Sequence, residues 1–105
     1  MTGTPNQIEW AEQIKPRVGA EFDRVERVLA QIAIRQRAEA RANTEATIAI
    51  LREKREEVMA KDSAGYFIKD WQELTDQVRQ MIRQDPRFPA IRANKITTSV
   101  RTNQL

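Results

Sequence analysis

A chain of 105 residues can build one domain and bury a modest core without staples. It has no cysteine and no histidine, which excludes a disulfide framework, a thiol nucleophile and a thiolate metal site, and removes the commonest general base and transition-metal ligand. Charged residues make up 31%, with only three glycines and four prolines, a balance that points to an all-α, water-facing protein rather than a β-sandwich or a disordered chain.

Met1 to Thr4 are expected to fray. Thr4 and Pro5 read as a helix start, with threonine as cap and proline at the first helical position. Ile8, Ala11 and Ile14, then Val18, Phe22, Val25, Leu29 and Ile32, form a stripe at three- and four-residue spacing. Trp10 lies on the flank of that stripe and is expected to pack with it. Pro16 removes a bond to the Glu12 carbonyl, but the stripe stays nearly in phase across it. A kink is therefore expected there rather than an end. Arg35 to Asn43 has no large apolar residue but high helix propensity. The first helix is placed at about 5–40, with a turn at 38–44 and Asn43 or Thr44 as the next cap. The first two helices then form an antiparallel hairpin.

Ile48, Leu51, Arg55, Val58 and Met59 share one face of a helix at about 44–61. Phe67, Ile68, Trp71, Leu74, Thr75, Val78, Met81 and Ile82 share a face further on, at about 63–84. At about 100° per residue, Trp71 sits about 200° around from Leu51, so the two stripes do not line up. Asp62, Ser63 and Gly65 stand where the face switches. Two helices joined by a short turn are expected; the alternative is one long helix with two apolar faces. Glu45 and Asp62 near helix starts, and Lys61, Arg79 and Arg83 near helix ends, fit the macrodipole. Pro86 stops the third helix. Asp85 reads as the cap of a short helix carrying Phe88 and Ile91 and ending at about Asn94, and the rest as irregular.

The expected architecture is thus an antiparallel three-helix bundle over residues 1–85, with a long, Pro-kinked first helix. A short C-terminal helix and a basic tail follow over 86–105. The expected core is Phe22, Leu29, Leu51, Val58, Phe67, Trp71, Leu74 and Val78. No apolar run approaches the ~18 residues that span a bilayer. The N-terminus lacks the pattern of a signal peptide, so the expected compartment is the cytoplasm.

Little here reads as reaction chemistry. Glu53, Glu56 and Glu57, and further on Asp70 and Glu73, are interleaved with lysine and arginine, which marks a solvated, ion-paired face. A di-metal carboxylate bundle usually needs Glu-x-x-His, and there is no histidine. Ser63 and Ser99 are the only serines. A Ser-His-acid triad is impossible, and Ser63 reads as a helix cap. There is no phosphate-binding glycine loop. No catalytic residue, cofactor, metal or small-molecule substrate is expected.

Two features suggest partners. Ile34 and Ile50 point away from their helices' main stripes. If the hairpin turns near residue 42, they stand at the same level and form a second apolar patch for self-association or a protein partner. Charge is the other. Residues 1–85 carry 14 Lys/Arg against 15 Asp/Glu, whereas 86–105 carry Arg87, Arg92, Lys95 and Arg101 and no acid. A basic tail can contact phosphates or an acidic protein surface. The leading expectation is a small, non-enzymatic, self-associating interaction protein. The alternative is a nucleic-acid-binding accessory or regulatory protein using the tail with Arg35, Arg37 and Arg41.

Overall fold

The computed structural model describes residues 1–91. Their fold is all-α, with four named helices: α1 (Pro5–Arg35), α2 (Ala38–Met59), α3 (Ala64–Asp70) and α4 (Leu74–Gln84). Residues 87–91 are again helical. Among the described residues, no helix is long and apolar enough to cross a membrane.

The start of α1 is closed by its own residues. The Thr4 hydroxyl accepts from the Gln7 backbone N–H at 3.3 Å, and the Gln7 side chain accepts from the Thr4 N–H at 3.0 Å. Two of the free donors at the helix start are thereby satisfied. The helix then runs through Pro16 without interruption.

The residues before α1 do not fray as expected. The Thr2 N–H donates to the Asp62 carbonyl at 2.6 Å, and the Ala64 N–H donates to the Thr2 carbonyl at 2.8 Å. The N-terminal strap thus pairs with the turn between α2 and α3. Gly3 makes the approach possible. Its φ is +144°, and a Cβ there would stand 2.9 Å from that of Ala64.

The first turn falls earlier than expected. α1 stops at Arg35, not near residue 40, and Gln36 and Arg37 alone form the connection, both extended. Arg41 explains the stop. Its guanidinium donates to the Ala33 carbonyl at 2.9 Å and to the Ile34 carbonyl at 3.0 Å. The Ile34 carbonyl is one that a helix end leaves without a partner, and the Ala33 carbonyl, which also accepts from the Gln36 N–H, gains a second donor. Asn43 and Thr44, expected as caps, lie inside α2. The expected break near residue 62 is present, and the Ser63 hydroxyl caps α3 by accepting from the Tyr66 N–H. The single helix expected over 63–84 is instead two, parted at Trp71–Glu73.

α1 and α2 run antiparallel: Asp23 pairs with Arg55 and Glu26 with Arg52. α3 packs on α1, and α4 packs on both helices of the hairpin. Phe22, Leu51, Val58, Phe67, Trp71 and Val78 are buried, as expected. Leu29 and Leu74 sit half-buried at the edge of that core rather than in it. Ala11, Val18, Ala64 and Ile82 complete it. Trp10, expected to pack on the flank, is 57% exposed.

Candidate functional site

The structure separates the two isoleucines that were expected to share a patch. Ile34 is 73% exposed at the hairpin tip, whereas Ile50 is only 1% exposed. The early turn is the reason. With the connection at 36–37, Ile34 lies two residues before it and Ile50 lies well down α2, so they no longer stand at one level. Ile34 shares a shallow depression with Arg41 and Ile48, not with Ile50.

The candidate nucleic-acid contacts also divide. Arg35 and Arg37 are exposed at the tip. Arg41 is committed to the end of α1. Arg87 is held in an ionic cluster described below. Arg92, Lys95 and Arg101 lie outside the described residues, as does Asn94.

The cluster is built around Asp85, which is 5% exposed although charged. Its carboxylate accepts from the Arg87 backbone N–H and from two nitrogens of the Arg87 guanidinium, each at 2.9 Å. The Lys54 ammonium stands 3.3 Å away. Arg87 also reaches Glu53 on α2. The sequence favours this arrangement locally: aspartate caps the residues after it, and Pro86 occupies the first turn. The arginine that follows closes on the capping carboxylate. The cluster ties residues 85–91 to α2 and so places Phe88 and Ile91.

Bonding to Arg87, first from its side chain and then from its backbone N–H, holds the Asp85 carboxyl well below the usual carboxylate range. Glu53 is held low by the same guanidinium. The unfolded chain therefore binds protons at these sites more readily than the folded one. Their stabilising contribution is present above a pH of about 4 and is lost as pH falls through the folded-state values. Thermal melts between pH 7 and pH 2 check this. Asp85→Asn keeps the cap but not the charge, and should melt earlier at neutral pH and lose less on acidification. Identical pH profiles for the two proteins would refute this role.

The surface that sequence reasoning missed is an apolar groove. It has a volume of about 450 Å³ and lies between α1 and α4. Val25, Val28 and Leu29 form one wall, Val78 and Ile82 the other, and Phe88 an end. A second depression of about 360 Å³ continues it toward the hairpin tip, past Ile32 and Ile91. Leu29, Thr47 and Phe88 line both. Val28 and Ile32 are each 44% exposed. A signal was present in the sequence: Val25, Val28, Leu29 and Ile32 make the stripe of α1 wider here than one neighbouring helix can cover. Arg24, Arg79 and Arg83 edge the groove. Arg24 is paired with Glu21, which is itself buried at 8% exposure and reaches the Thr75 hydroxyl.

Nothing in the described residues gathers three or more metal-ligating side chains. Of the carboxylates on the expected solvated face, Glu57 pairs with Lys54 along α2, whereas Glu53 pairs across to Arg87 in the Asp85 cluster. Comparison with protein-family models, curated proteins and solved structures finds no match for this chain.

Proposed function

We propose that this chain is a small, non-enzymatic interaction protein that docks a partner in the apolar groove between α1 and α4. The observation that carries the reading is the exposure of Val28 and Ile32 at 44% each, on a surface continuous with the core. Apolar area left open beside a core gains stability when a partner covers it. The lack of histidine and cysteine supports the non-enzymatic part of the reading.

The expectation of a homo-oligomer rested on Ile34 and Ile50 acting together, and the burial of Ile50 removes that motive. The nucleic-acid alternative rests on the cations after Asp85 and on Arg35, Arg37 and Arg41. It is weakened because Arg41 and Arg87 spend their guanidinium groups inside the fold.

The test is the double substitution Val28→Glu with Ile32→Glu. Both side chains are open to water, so folding stability should change by no more than about 0.5 kcal/mol each. Proteins captured from a native lysate by the wild-type chain should be missing with the variant. An unchanged set would overturn the reading.

A further inference from the structure

We infer that the groove receives an acidic amphipathic helix, with one apolar stripe and carboxylates four residues apart beside it. This rests on the docking reading above and adds the partner's shape and charge.

Shape follows from the walls. Both are helices, whose backbone groups are already paired within each helix. They offer no free edge to an added strand, but they offer rows of side chains into which another helix can pack. A helix laid between α1 and α4 covers Val28 and Ile32 and completes a four-helix arrangement around Leu29.

Charge follows from the rim. Arg79 and Arg83 are exposed on the α4 wall, one turn apart. Among the described residues neither is in an ion pair. Arg24 edges the other wall, but Glu21 already neutralises it. Positions i and i+4 are about 6 Å apart along a helix, so carboxylates with that spacing on the occupant meet both α4 arginines.

The same charges argue against two other occupants. In a two-fold dimer the same patch serves both copies, so Arg79 and Arg83 of each would bring four cations into one interface. The chain's own tail carries Arg92, Lys95 and Arg101 and no acid, and does not complement the rim.

The probe is a fluorescein-labelled peptide of about 20 residues, long enough to turn helical. Leucines occupy one stripe, and the flanking positions are glutamate, glutamine or lysine in three versions. Fluorescence anisotropy is followed with the full chain at about 0.1 M salt, where exposed charges still act over about 10 Å. The glutamate peptide should bind about five- to tenfold more tightly than the glutamine peptide, the effect of two exposed ion pairs. The lysine peptide should bind weakest. Arg79→Glu with Arg83→Glu should invert that order, with circular dichroism showing the fold intact. Equal binding of the glutamate and glutamine peptides would overturn the acidic partner and leave the docking reading standing. If no peptide binds, the docking reading falls as well. If light scattering shows a dimer that Ile32→Glu splits into the 12.2 kDa chain, the groove belongs to a second copy and the inference is wrong.

Discussion

Trp71→Ala is expected to lower stability by about 3–5 kcal/mol, the usual range for a buried large aromatic. Against a total of about 5–15 kcal/mol for a domain of this size, that is a severe loss. The melting temperature should fall by about 15 °C or more. The indole is 3% exposed and packs on Phe22 with ring centroids 5.6 Å apart, tilted by 56°. It also stands where the chain leaves α3, with φ −115° and ψ 38°. Its burial therefore anchors both short helices against the hairpin. The indole N–H lies near the Tyr66 hydroxyl without making a hydrogen bond of good geometry, so the loss is chiefly one of packing. Trp71→Phe keeps a ring in the core and should be milder. Thermal melts of the three proteins check this, and an alanine variant that melts with the wild type would remove Trp71 from the core.

Ile50→Ala is expected to lower stability by about 2–5 kcal/mol, while Ile34→Ala should change it by no more than about 0.5 kcal/mol. The chemistry of the substitution is the same, and only burial differs, 1% exposed against 73%. Ile50 precedes Lys54 by one turn, on the face of α2 that Lys54 ties to Asp85. A cavity there loosens the attachment of the last described segment as well as the helix. Urea unfolding of both variants measures the contrast. Equal midpoints would show that Ile50 does not carry this attachment.

The pair also shows how far the chain could be read without coordinates. Helix type, the Thr4–Pro5 start and the break before Ser63 were legible, because each is written in local residues: a cap, a proline, a change of stripe. The turn at 36–37 was not. Arginine, glutamine and alanine favour continuing a helix, and the stop depends on Arg41 reaching back to carbonyls seven and eight residues earlier. The break at Trp71 was hidden for a related reason. The stripe from Phe67 to Ile82 stays in phase across it, and Glu73 makes no side-chain capping bond at the start of α4. Once the first turn was misplaced by several residues, Ile34 and Ile50 were set level with each other, and the candidate patch followed from that error. The groove needed a further fact, namely how much of α1 the short α4 covers, which is a matter of tertiary contact and not of periodicity.

The N-terminal strap bears on the order of assembly. Thr2 and Asp62 are sixty residues apart along the chain. Closing so long a loop from an open coil is slow and entropically unfavourable. The α1–α2 hairpin changes that path. Its connection is two residues long, and once it forms, the end of α2 at Met59 lies beside Gly19 of α1, which shortens the span left to close. The strap then closes over that shorter span, and in closing it accepts from the Ala64 N–H, one of the free donors at the start of α3. The longest-range backbone pairing in the described fold therefore costs less chain entropy once the hairpin is in place, and it joins the start of the chain to the start of α3.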